Sequence, residues 1–278
     1  MKSRNLLSIA FAAACLAGAV GCSERSDTGN ETLAFRQTQV TEAFRLLGSA
    51  EAYQSDSDMV IACRADLLLP VDLLGQNASA LQDTILSRLL GTTVTDPERR
   101  QAEIGDYFRK YASEEGYGIE DVPVADADSA DFFTRYNGYV SVTADPLNVS
   151  PDLLVYRLVA AYYTPGAAHG MYSTAYVNYD LATGKVLELA DLVCPEGLDR
   201  LPAILKDRAK VLQPVIGPTS LSALPGGDNY YISTDNELVF AYQPYEIASY
   251  AQGEVKISVQ PYLLYDYLTP LGRQVLLR

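Results

Sequence analysis

The chain carries one histidine, His169, and any acid–base relay that needs an imidazole must use it. It stands in Gly166-Ala167-Ala168-His169-Gly170, with Tyr163 just before and Tyr172 just after. Such a histidine, at a break between strands, is either a general base or ligand contact, or a turn residue hydrogen-bonded to backbone or tyrosine. A second constellation is Pro244-Tyr245-Glu246-Ile247-Ala248. A carboxylate beside tyrosines orients a sugar hydroxyl or pairs with a basic partner; equally, a turn glutamate accepts backbone N–H groups. Tyr163, His169, Tyr172, Tyr245 and Glu246 are therefore the candidate ligand- or partner-binding residues. No nucleophile elbow, HExxH, phosphate loop or dinucleotide fingerprint stands in a fitting context, and no catalytic residue is assigned. With one histidine and no CxxC, a Cys/His zinc site is not expected, and neither is any other metal or cofactor.

The four cysteines divide by address. Lys2 and Arg4 precede an apolar run, Leu6 to Val20, that ends in Ala19-Val20-Gly21-Cys22. Residues 1–21 read as a secretory signal peptide, too short and Ala-rich for a membrane span. The pattern resembles a bacterial lipoprotein signal, which makes Cys22 the lipid attachment site, residues 22–34 a flexible tether, and the address a cell envelope, facing periplasm or cell surface. Cys15 leaves with the signal. Cys63 and Cys194 then remain in an oxidising compartment, as a disulfide or as two separate thiols.

Removing residues 1–21 takes Lys2 and Arg4 and no acidic residue, so 19 basic and 35 acidic side chains leave a charge of −16. That argues against nucleic acid and anionic lipid as partners and permits a basic protein. Membrane contact is expected through the lipid anchor only.

These residues need elements to position them. Apolar patterning predicts a strand over Met59–Leu69, ended by Pro70, and leaves Leu33–Leu47 as a strand or a short helix, with the strand favoured. It predicts helices over Asn77–Leu90, stopped by Gly91, and from Pro97 to about Glu115. Asp121–Ala130 reads as a solvated loop. From Tyr136 onward the chain turns tyrosine-rich, with sixteen of its twenty tyrosines between Tyr136 and Tyr267, which predicts β structure. Expected strands are Gly138–Ala144, Leu153–Tyr163, Met171–Tyr179, Val186–Leu192, Tyr230–Ser233, Leu238–Tyr242 and Glu254–Gln260. Asp180–Lys185 is a turn with Gly184 at positive φ, and Pro195–Leu212 is an amphipathic helix.

The run YYTPGAAHGMYSTAYVNYDLATGKVLELADLV resembles the signature of the RsiV-like C-terminal domain, with its Tyr-rich strand, G-A-H-G element, N-[FY]-D-L-x-T-G-K and L-x-D-L. ISTDNELVFAYQPYEIASYAQGEVKISV resembles the second half of that domain, and the two halves occur in order with a helix between them. The upstream part looks like the module that precedes this domain in RsiV-type anti-sigma factors and in the PdaC-type peptidoglycan deacetylases. The resemblance spans roughly Phe35 to Asp266. The pattern often has G-G-A-H where this chain has Gly166-Ala167-Ala168-His169.

The resemblance implies an α+β fold, with an N-terminal α+β domain over 35–165 and a β-rich C-terminal domain over 166–278. It implies an outer module that binds lysozyme. The sigma-binding segment, membrane helix and deacetylase domain have no counterpart in the sequence, so signalling and deacetylation do not transfer. The expectation is a non-enzymatic envelope lipoprotein that binds a basic protein such as a lysozyme. The alternative is a protein that binds or modifies glycan and acts on peptidoglycan fragments.

Overall fold

The computed structural model describes residues 9–12, 33–47, 59–91, 99–114, 118–124, 132–164, 167–212, 221 and 223–278. The fold is a mixed α+β fold with a large, mainly antiparallel sheet and a few helices. The chain divides into two compact units, Met1–Asp145 with Ala161–Gly170, and Pro146–Ala160 with Met171–Arg278. The sequence boundary at 165/166 thus falls inside a segment that clusters with the first unit.

The first unit is built on β1 (Ile9–Ala12), β2 (Leu33–Leu47), β3 (Val60–Leu73) and β4 (Gln76–Asn77). To these it adds α1 (Ser79–Leu90), α2 (Arg100–Glu114), β5 (Gly118–Asp121) and the start of β6 (Gly138–Val149). β2 and β3 form a long antiparallel pair from Leu33↔Leu73 to Arg45↔Val60. β3 pairs in parallel with β6, Ile61↔Gly138 through Leu67↔Ala144. A parallel pair needs a long crossover, and α1 and α2 lie within it. Burial along β3 alternates, with Cys63, Ala65, Leu67 and Leu69 inward. Leu81 and Ile85 of α1 and Ile104, Phe108 and Ala112 of α2 recur at helical spacing and are all buried.

Three expectations change here. β3 does not end at Pro70 but runs to Leu73, because the register slips between Ala34 and Phe35 and Pro70 sits at that irregularity, where no ladder N–H is required. The Pro70 carbonyl accepts from the Gln82 side chain, whose own oxygen accepts from Arg100 at 2.6 Å. α1 starts at Ser79, with the Asn77 side chain accepting from the Ser79 N–H at 2.8 Å, and it stops at Gly91 with φ 67°. Part of the expected loop from Asp121 belongs to a strand: β5 pairs with β2 from Phe44↔Asp121 to Leu47↔Gly118. The helix-opening turn at 96–98 and the lipid-site residue Cys22 lie outside the described residues.

The second unit holds most of β7 (Leu153–Tyr163), then β8 (Met171–Asp180), β9 (Lys185–Val186), α3 (Leu189–Leu192) and α4 (Pro195–Ala209). β10 (Tyr230–Ile232), β11 (Leu238–Tyr242), β12 (Val255–Val259) and α5 (Pro270–Leu276) complete it. The strand order β7-β8-β9 is separate from a three-stranded antiparallel sheet, β10-β11-β12. The turn after β8 is as expected, with Gly184 at φ 67° and Asp180 accepting from Thr183 at 2.6 Å. The strand expected over Val186–Leu192 is a two-residue strand followed by a helical turn. The Glu188/Asp191 capping box takes the chain out of the sheet. α5 was not expected, although Thr269-Pro270 opens it with the Thr269 side chain accepting the Gly272 N–H at 2.9 Å.

The core of this unit gathers Val155, Leu192, Leu201, Leu205, Phe240 and Val259, drawn from both strand groups and α4. Side-chain amides stitch β8 to β10. Asn178 donates to the Tyr230 carbonyl at 3.1 Å and accepts from the Ile232 N–H at 2.9 Å. An asparagine buried to 2 % exposure thus stands in for ladder bonds.

Candidate functional site

The sequence candidates fall on different units, and each unit places its own. In the first unit, His169 is exposed, and its Nδ1 lies 2.8 Å from the Gly170 carbonyl, a contact in which the ring nitrogen donates. Tyr163 donates to the Ala167 carbonyl at 3.2 Å and stands 6.1 Å, ring to ring, from Tyr139. Gly170 is enclosed: a Cβ there would come within 2.7 Å of the Tyr139 hydroxyl. Both candidates are thus woven into the strand-break loop, with His169 on a neighbouring carbonyl and Tyr163 closing a short turn.

In the second unit, Tyr172, Tyr245 and Glu246 are brought together with Tyr250, which the sequence reading did not single out. Tyr172, at the start of β8, packs edge-on against Tyr250 at 6.1 Å, and Tyr250 lies 5.5 Å from Tyr245 at a 32° tilt. The three rings form a ladder whose outer member, Tyr245, is 58 % exposed. Glu246 accepts the Gln243 N–H at 2.7 Å and the Gly226 N–H at 2.6 Å, so its carboxylate clamps two loops by backbone bonds. These are the backbone bonds that the turn reading of this glutamate calls for. Tyr245 itself sits at φ 71°, a left-handed conformation that an aromatic residue rarely adopts.

Behind the ladder lies a network around Glu254. Its carboxylate accepts from Thr174 and, at 2.9 Å, from Tyr176, and pairs with Lys256 at 3.1 Å. The Glu254 N–H donates to the Tyr172 hydroxyl at 2.9 Å, which ties network to ladder. Gly253, at φ 68°, makes room for that contact, since a Cβ there would stand 3.0 Å from the same hydroxyl. Lys256 lies over the faces of Tyr176 and Tyr231, at 5.7 and 5.5 Å, and these rings pack at 4.6 Å. Burial and the adjoining Glu254 charge push the Tyr176 hydroxyl well above the usual phenol range. It therefore stays protonated and donating. The Glu254 side chain is 7 % exposed, so this network reads as internal bracing for the tyrosines.

Of the two alternatives for Cys63 and Cys194, the structure has two free thiols. Cys63 is buried at mid-strand in the first unit, where burial, then the Glu42 charge, pushes its thiol strongly up. Cys194 belongs to the second unit, at the N-cap of α4. Each thiol is thus held by its own unit. Among the described residues, no group of three His, Cys, Asp or Glu side chains is placed to hold a metal ion.

The first unit also contains a cleft of about 530 Å³ between the end of α1 and one face of α2. Two cations, Arg99 and Lys110, and two acids, Glu103 and Asp106, line it, with Arg99 and Glu103 3.8 Å apart. Such a face suits solvent, and none of the sequence candidates opens onto it.

A protein family of unknown function, DUF3298, matches residues 203–261, a span that includes Tyr245, Glu246, Tyr250, Glu254 and Lys256. The chain is similar in fold to a crystal structure of a DUF3298 family member from Bacteroides fragilis. There the identity is 19 %, the TM-score is 0.64, and 89 % of this chain and 98 % of that one are covered. It is similar also to a DUF3298 family protein from Pseudomonas aeruginosa at 18 % identity and TM-score 0.58, with 86 % and 95 % covered. Comparison with curated proteins found no match. The resemblance read from the sequence holds at this level, that of a DUF3298 domain in the C-terminal part.

Proposed function

We propose that this chain is a non-enzymatic, lipid-anchored envelope protein whose DUF3298-matching unit binds a basic protein partner of the lysozyme type. The observation that carries the reading is the Tyr172–Tyr250–Tyr245 ladder, braced from behind and exposed at its tip. Rigid tyrosines with apolar faces are effective anchors at protein interfaces, since little rotamer freedom is lost on contact. The polar groups that would serve catalysis have structural partners. Glu246 accepts backbone amides, Glu254 sits in a tyrosine–lysine network, and His169 lies against a carbonyl. The basic nature of the partner follows from the charge of −14, or −16 after signal removal. Its lysozyme character follows from the RsiV-like resemblance.

Titration of the full chain with lysozyme, beside an equally basic unrelated protein at two salt concentrations, tests this. Selective binding that survives salt is expected. Equal, salt-sensitive binding to both would leave only net charge acting and would sink the reading. The exposed tyrosine face also suits a sugar ring, so peptidoglycan fragments form the third arm. Their binding in place of lysozyme would favour the glycan-binding alternative.

A further inference from the structure

Tyr245 is the one exposed aromatic residue among the described residues that the backbone holds at positive φ. Strain of this kind persists only where the surroundings over-determine it. Here they do. The Glu246 N–H donates to the Gln243 carbonyl at 3.0 Å, closing the turn. The Glu246 carboxylate takes the Gln243 and Gly226 amides. Pro244 is buried, and Ile247 is 4 % exposed and anchors the far side of the turn. What the clamped turn achieves is to project one ring into solvent at 58 % exposure, tilted 32° against the half-buried ring of Tyr250.

The chemistry of that surface is one-sided. Each ring face carries the negative lobe of the aromatic quadrupole. Glu246, next in sequence and exposed, adds a full negative charge. The whole chain adds a negative field of the same sign. Lys256, the cation of the neighbouring network, lies on Glu254 and over Tyr176 and Tyr231. We infer that the Tyr245–Tyr250 face, with Glu246 at its margin, is a recognition site for a single cationic side chain, a lysine or arginine of the partner. The ring faces supply cation–π attraction and Glu246 a like-signed margin. This rests on the partner-binding reading above and names the contact through which it works.

The test uses small probes on the full-length, isotope-labelled protein. The probes are tetra-arginine amide, its uncharged citrulline counterpart, and tri-N-acetylglucosamine. The arginine peptide is expected to shift the amide resonances of 245–250 saturably, and the other two to leave them in place. Tyr245→Gly suits the left-handed backbone and is expected to keep its thermal midpoint while weakening the arginine peptide about fivefold. Tyr245→Phe keeps the ring and is expected to bind within about twofold of wild type. Equal response to arginine and citrulline peptides would overturn the inference. So would unweakened binding by Tyr245→Gly, or a response of these amides to the sugar alone. The two claims separate cleanly. Selective lysozyme binding that Tyr245→Gly leaves unchanged removes this inference and spares the partner reading. Arginine-peptide binding at 245–250 with no response to lysozyme does the reverse.

Discussion

A single methyl group at position 253 tests whether the tyrosine ladder is braced as the geometry describes. Gly253 has φ 68°, and its missing Cβ leaves the Tyr172 hydroxyl room to accept the Glu254 N–H. Gly253→Ala is expected to destabilise the protein by about 1–3 kcal/mol through the backbone alone, because φ 68° with ψ −152° is a region open essentially only to glycine. Crowding of Tyr172 adds to that, read as a lowered denaturation midpoint together with shifted resonances at Tyr172 and Tyr250. The same scale decides the cysteines. Cys63 is fully buried and its thiol is pushed up, so it forms no thiolate at mildly alkaline pH, whereas Cys194 is only half-buried. Alkylation of the native protein at pH 8, read peptide by peptide, is expected to label Cys194 and spare Cys63. After unfolding without reductant it is expected to label both. Failure of either to label in the unfolded chain would mean a bridge.

Elements show where sequence reasoning reaches and where it stops. The inward Val255, Ile257 and Val259 of β12 follow from period-two patterning, whereas Leu238–Tyr242, buried at every position, and Leu153–Tyr163, buried on both faces at its start, follow from their apolar and aromatic runs. α3 escaped because Val186–Leu192 is apolar enough for a strand, and a local capping box decides otherwise. β5 escaped because Gly118–Asp121 is a polar edge that pairs by backbone alone. The site was half legible. Tyr245 and Glu246 announce a turn, but the Glu254 brace joins residues some eighty positions apart, and no local pattern encodes such a contact.

The seat of α2 offers a test at this scale. Glu42 of β2 lies under Gly105, where a Cβ would come within 2.5 Å of its Oε1, and its Oε2 is buried without a hydrogen-bond partner. Burial raises its titration. Arg109 opposes this, while Asp121 and Asp106 add to it. Cys63 faces it across the β2–β3 register. A carboxyl with a raised folded value favours folding while protonated, so its penalty is absent in acid and grows as pH rises through and above the carboxylate range. Glu42→Gln is therefore expected to be more stable than wild type at pH 7, with the difference shrinking toward pH 4. Paired thermal melts at the two pH values check the sign.

For the whole molecule, net charge and contact chemistry act over different distances, and this separates what composition shows from what it hides. Acidic residues exceed basic ones by 14, and the surplus makes a long-range field that composition alone announces. At physiological salt that field is screened beyond about 8 Å, so it acts mainly on the encounter of two proteins. A ring face in contact with a cation is shielded from bulk ions and acts on how long the complex lasts. For a basic partner, raising salt from 20 to 300 mM is accordingly expected to lower the association rate about tenfold or more, with little change in dissociation. Tyr245→Gly is expected to do the opposite, speeding dissociation about fivefold and leaving the salt slope of association unchanged. Stopped-flow measurements of both rates across that salt range check this. If Tyr245→Gly altered only the association slope, the tyrosine would be part of the general acidic surface, and the ladder would bind nothing of its own.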